Sequence, residues 1–125
     1  MLNSPRSSVP RIERGAIWLA DLNPGKGTEP GKTRPVLVVQ SQTLLDAGHP
    51  STLVIPLTTN LVDDAEPLRL RVKAFAKLKH DSNLLLDQLR AIDNRRLTAG
   101  PLGVCSPEFM RKVQVAMVEV LDMPG

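Results

Sequence analysis

The sequence has one cysteine, Cys105, no tyrosine, and only Trp18, Phe75 and Phe109 as large rings. A single thiol excludes an intrachain disulfide and a cysteine-ligated metal cluster, which fits a reducing, cytoplasmic setting. So few rings also exclude the usual way of holding single strands, in which bases stack on exposed aromatic side chains. No apolar run approaches the roughly 18 residues that span a bilayer. The amino-terminal MLNSPRSSVPRIERG lacks the apolar stretch of a secretory signal, so no membrane association is expected. Net charge is scarce too. Of the +3 total, +2 falls in residues 1–14, which leaves +1 for residues 15–125. That is too little to bind a polyanion by bulk electrostatics, so such binding needs individually placed arginines.

What is present describes one domain. The 125 residues suffice for a single core, and 42% hydrophobic with 23% charged residues is ordinary globular usage. Residues 1–14 are polar, with Pro5 and Pro10, and read as a loose leader; the globular pattern spans 15–125. AIWLADL predicts a first strand closed by Asn23-Pro24-Gly25, followed by the long loop NPGKGTEPGKT. RPVLVVQ reads as a second strand buried on both faces, and Ser41 as the cap of a short helix ending at Gly48. STLVIPL is a third strand, where Pro56 suggests an edge or a bulge. In LRLRV, Leu68, Leu70 and Val72 alternate with Arg69 and Arg71, as on a half-exposed strand. SNLLLDQLRAI gives a further strand or a bent pair. Ser106-Pro107-Glu108 is a helix start, with Met110, Val113, Met117 and Leu121 following at helical spacing. Short strands and a closing helix predict a small α+β, barrel-like domain.

Several chemical readings follow from residue types alone. His49 lies in a turn and His80 among charged neighbours, so a histidine pair for acid–base work is not expected. No His or Cys cluster exists, and Asp63-Asp64 is a poor metal site, so no metal is expected. Arg69 and Arg71 form a basic stripe. Strand alternation places Asp87 with Leu85 and Leu89 beside apolar side chains, and Gln88 and Arg90 on the opposite face.

Three segments, RGAIWLADLNPGKGTEPGKTRPVLVVQ (14–40), VIPLTTN (54–60) and DSNLLLDQLRAIDNRRL (81–97), together resemble the MazF/PemK toxin ribonucleases. The likeness covers about 110 residues. It implies a small SH3-like β-barrel with a C-terminal helix, a fold shared with CcdB toxins. The implied activity is cofactor-free, metal-independent cleavage of single-stranded RNA (mRNA) at short sequences. The ribose 2′-hydroxyl attacks, leaving 2′,3′-cyclic phosphate and 5′-hydroxyl ends. The resemblance also implies a homodimer and a cognate MazE-like antitoxin that blocks the RNA groove. Arg34, Thr58 and Glu29 match the family's active-site positions. Arg34 would stabilise the phosphorane, Thr58 would hold the phosphate, and Glu29 would accept a proton or orient Arg34. Lys32, Thr59, Arg69, Arg71, Gln88 and Arg90 are the expected RNA contacts. Some PemK-type toxins carry an arginine two residues before the equivalent of Asp87. Here that residue is Leu85, which favours the MazF form of the mechanism and makes Asp87 structural before catalytic.

Two other functions fit the same fold. A CcdB-like toxin acts by binding a topoisomerase through a tryptophan-containing carboxy terminus, whereas this chain ends Asp122-Met123-Pro124-Gly125. A silent nucleic-acid or protein adaptor would leave the joint presence of Glu29, Arg34 and Thr58 a coincidence.

Overall fold

The structure, a computed structural model, describes residues 11–28 and 32–124. The first ten residues of the expected leader therefore lie outside the described residues. Seven strands, β1 (Ala16–Asp21), β2 (Thr33–Val38), β3 (Ser51–Thr58), β4 (Arg69–Val72), β5 (Ser82–Leu85), β6 (Arg90–Asp93) and β7 (Leu97–Val104), form one sheet. Its order is β4-β5-β3-β2-β1-β7, with β6 also on β3, and every pairing is antiparallel. Helix α1 (Gln42–Asp46) follows β2, and α2 (Pro107–Val120) closes the chain. The expected α+β barrel-and-helix architecture is the one observed.

Side-chain alternation divides the core into two layers. On one face Ile17, Leu37, Leu57, Leu70, Val72 and Leu84 pack under α2, which contributes Val113 and Ala116 together with Phe109, Met110 and Met117. The methionine stripe is thus core. On the other face lie Ala16, Trp18, Ala20, Val36, Val38, Val54 and Ile92, with Ile12, Leu45 and Leu97 against them. The start of α2 follows its sequence: Ser106 Oγ accepts the Phe109 N–H at 3.0 Å, Pro107 opens the first turn, and Glu108 stands at the positive end. Leu121, read as part of the apolar stripe, instead ends the helix as its exposed C-cap.

Four local expectations change. Pro56 lies in a central strand. Along one edge of β3, Ser51–Val54 pair with β6 and Leu57–Thr58 with β5, and the proline occupies the gap where the partner changes. No ladder donor is needed from it on that side. The bend that makes this gap is a 3₁₀ turn, Leu86–Gln88, between β5 and β6. Leu68 precedes β4 and is exposed, while Leu70 and Val72 are buried as the alternation requires. Ser41 occupies the N-cap position of α1 without a side-chain cap bond. Composition groups residues 11–14 with the leader, yet they are tied to the domain. Arg14 N–H donates to Gln42 Oε1 at 2.9 Å, its guanidinium meets the Val39 carbonyl, and Arg11 pairs with Asp46 at 2.6 Å. Among the described residues, no helix is long and apolar enough to cross a membrane.

Candidate active site

Register determines which polar side chains share a face. Directly opposed residues in antiparallel strands project to the same side. Ala20 opposes Arg34. The β2–β3 register pairs Val36 with Pro56, and continuing it by two residues brings Arg34 opposite Thr58. Thr58 opposes Asn83, and Asn83 opposes Arg71. One row across the sheet therefore reads Ala20, Arg34, Thr58, Asn83, Arg71. The neighbouring pair, Leu85 and Arg69, projects the same way. This face is the one remote from α2. Its centre is apolar around Trp18 and Val36, and its end is polar.

At that end lies a cleft of about 380 Å³ lined by Thr28, Arg34, Thr58, Asn60, Arg69 and Gln88, with Val62, Leu85 and Asp87. Three local structures shape it. The base of the loop between β1 and β2 is closed by Leu22 N–H to the Lys32 carbonyl (2.9 Å) and Lys32 N–H to Asn23 Oδ1 (2.6 Å). Arg96 also donates to the carbonyls of Asp21 and Asn23, at 3.0 and 2.7 Å. After β3, Thr58 Oγ1 accepts the Asn60 N–H at 3.1 Å, which turns the chain out of the strand. The 3₁₀ turn then delivers Asp87 and Gln88 to the cleft side by side.

This turn corrects the strand-based expectation for residues 85–90. Asp87 is exposed and pairs with Arg69 at 2.7 Å, in place of lying among apolar side chains. Gln88 lines the same cleft as Asp87 rather than the opposite face. The reason is geometric: a 3₁₀ turn advances about 120° per residue, so period-2 alternation fails there.

The other expected site residues distribute as follows. Arg34 and Thr58 are half-buried within the cleft. Lys32 and Thr59 line a smaller hollow of about 220 Å³ with Thr33, Arg34 and Ser82. Arg71 borders a hollow of about 330 Å³ that shares Arg69 and Val62 with the cleft. Arg90 opposes Val54, lies outside the cleft lining, and buries Nη1 without a hydrogen-bond partner. Glu29 lies outside the described residues. His49 and His80 are exposed and line none of these hollows. Among the described residues, no group of three or more His, Cys, Asp or Glu is placed to hold a metal ion.

Sequence reading missed Asn60, Val62 and Asn83. Asn60 carried a usable signal, because Thr-x-Asn at a strand end favours a side-chain-capped turn. The displaced pKa values lie away from the cleft. The Arg95 guanidinium and its backbone N–H hold Asp93 down at about 2, and burial pushes the Cys105 thiol up to about 11.

Fold and cleft define a class: small barrel-and-helix proteins with a basic, hydroxyl-bearing cleft at one end of the sheet, suited to gripping a phosphodiester. Residues 13–121 match the PemK-like, MazF-like toxins of type II toxin-antitoxin systems, and the chain belongs to that family. It is 34% identical over 110 residues to Endoribonuclease EndoA of Bacillus subtilis (strain 168), covering 85% of this chain and 90% of that protein. MazF (Form-I) from Deinococcus radiodurans shares the fold with a TM-score of 0.76 at 20% identity, covering 91% of this chain and 99% of that chain. A chain of the MazE-MazF (Form-II) structure from the same organism gives a TM-score of 0.72 at 20% identity, covering 92% and 99%.

Proposed function

We propose that this protein is the endoribonuclease toxin of a type II toxin–antitoxin pair and cleaves single-stranded RNA by metal-independent attack of a ribose 2′-hydroxyl. Family membership supports a general endoribonuclease-toxin function. The observation that carries the finer reading is the juxtaposition of Arg34 and Thr58 on adjacent strands in one cleft, with Arg69 and Gln88 in the same lining.

The chemistry follows from what each group can do. Charge builds on the non-bridging oxygens as the 2′-oxygen attacks phosphorus, and a permanently charged, forked guanidinium is the best side chain to meet it. Arg34 takes that role. Thr58 donates its hydroxyl proton to the same phosphate while its oxygen stays engaged by Asn60. Glu29, which directly follows the cleft-lining Thr28 in sequence, is assigned proton acceptance or the orientation of Arg34 through its match to the family position. As the 2′-oxygen bonds to phosphorus the P–O5′ bond breaks and the departing 5′-oxygen takes a proton from water, so the products are a 2′,3′-cyclic phosphate and a 5′-hydroxyl. Lys32, Thr59, Arg69, Arg71 and Gln88 contact the flanking RNA. The working unit is a homodimer, and a MazE-like antitoxin silences it by occupying the cleft, as the existence of MazE-MazF complexes among relatives supports. The CcdB-like reading is disfavoured because the 34% identical relative is an endoribonuclease and Trp18 is buried in the sheet face, out of reach of a partner.

The test is to incubate the purified protein with long single-stranded RNA in excess EDTA and map the new ends. Discrete cuts bearing 5′-hydroxyls are expected. Arg34→Ala, folded by circular dichroism, loses roughly 10²–10⁴-fold in rate. An Arg34→Ala protein that cuts at the wild-type rate removes this residue from the mechanism. Intact RNA with folded wild type removes the reaction altogether.

A further inference from the structure

Asn83 is a buried amide, 1% exposed, on the sheet face whose apolar interior is built from Ala16, Trp18, Ala20, Val36, Val38, Val54 and Ile92. A buried amide is tolerated only when its donors and acceptor are used. Both bonds of Asn83 go to cleft machinery. Its Oδ1 accepts from Arg71 Nε at 2.9 Å, and its Nδ2 donates to the Val62 carbonyl at 3.0 Å. Val62 belongs to the loop that leaves Thr58 and lines the cleft, and Arg71 lies on the basic strand at its side. One side chain thus ties the post-β3 loop to the basic strand. The remaining contact of Arg71 is of another kind: Nη2 meets Asp63 Oδ1 at 2.5 Å, on a carboxylate whose side chain is 83% exposed. An exposed loop carboxylate can yield to a phosphate, whereas the buried amide keeps its hold on Nε.

We propose that Asn83 is a positioning residue that aims Arg71 at an RNA phosphate other than the one being cleaved. This inference rests on the RNA-cleaving reading above. Arg34 and Arg71 stand three strand spacings apart, about 14 Å between backbones at about 4.8 Å per strand. Arg71 therefore serves binding along the strand rather than the reacting phosphorus. Asn83 touches no reacting atom and acts through Arg71 and the loop.

The experiment is a double-mutant cycle, Asn83→Val and Arg71→Gln, read as KM and kcat on a synthetic RNA carrying the mapped cut sequence. Asn83→Val raises KM about tenfold with kcat held within about twofold. Arg71→Gln does the same, and the double variant is no worse than either single one, because both remove one contact. An unchanged KM for Asn83→Val, a loss confined to kcat, or effects that multiply to about a hundredfold overturns the proposal. Should Asn83→Val fail to fold, Arg71→Lys decides. It keeps the charge but has no Nε–H for Asn83 Oδ1 to hold, so KM rises about as far as in Arg71→Gln, and a KM within about twofold of wild type overturns the proposal. If wild type cuts RNA and the cycle shows no coupling, only this inference falls. If wild type leaves RNA intact, both readings fall.

Discussion

A threonine at the end of a strand has one proton to give and two lone pairs to offer, and the position of Thr58 uses the two capacities for different ends. One lone pair takes the Asn60 N–H, and this turns the chain away from the sheet. The proton remains available for a phosphate oxygen in the cleft that Arg34 also lines. Serine can do both, whereas valine can do neither while filling the same space. Thr58→Ser is therefore expected to cleave within about threefold of wild type, and Thr58→Val to lose about 10²-fold, the cost of one donor aimed at developing charge. Rapid cleavage by a folded Thr58→Val protein would end the assignment. At this scale, legibility in the sequence followed the kind of signal each residue leaves. Arg34 and Thr58 stand in recognisable segments and could be named beforehand. Asn83 could not, because an asparagine in a predicted strand reads as a surface position until its register shows it between Thr58 and Arg71. Asp87 was misplaced for a related reason. Alternation is a rule for extended chain, and the chain there is a 3₁₀ turn.

Elements were more legible than residues. The strand at Ala16, the branched run after Arg34, the arginine stripe of β4 and the capped start of α2 all follow from periodicity or capping, which are local properties. Pro56 was misread because its tolerance depends on two other segments changing places along β3, a non-local fact. The packing of β7 on β1 is equally non-local. An added Cβ at Gly100 would come within 2.5 Å of the Trp18 ring, and Trp18 is 6% exposed in the layer that carries the Arg34 row. The indole lies in a filled layer with Ala16, Val36 and Val38 around it and has little room to retreat. Gly100→Ala is thus expected to destabilise the fold by about 1–3 kcal/mol, as overpacking does. The measurement is the urea midpoint at constant m-value. An unchanged midpoint would mean that the layer yields more readily than its packing implies. A residual effect on cleavage is expected only where the protein is partly unfolded, because Gly100 borders none of the cleft residues named above.

For the whole molecule, charge decides how RNA is met. A net charge of +3 gives no strong attractive field, and much of the surface charge is internally matched, Arg11 with Asp46 and Arg95 with Asp93. The cleft and the hollow beside it concentrate three arginines, Arg34, Arg69 and Arg71, of which Arg69 faces Asp87 and Arg71 faces Asp63. On the proposed reading, affinity comes from a few local phosphate contacts, each releasing counterions from the RNA. With three such contacts on a single strand, log K against log salt should fall with a slope of about −2, at about 0.7 per neutralised phosphate. Arg69→Gln and Arg71→Gln should each flatten that slope by about 0.7. The experiment is fluorescence anisotropy at several salt concentrations, using an RNA made uncleavable by a 2′-deoxyribose at the cut site. This substitution removes the nucleophile and leaves the phosphates in place. A much steeper slope, unmoved by either substitution, would place the RNA on another surface of the molecule. The expected slope, flattened stepwise, would place it along the row that begins at Arg34 and ends at Arg71.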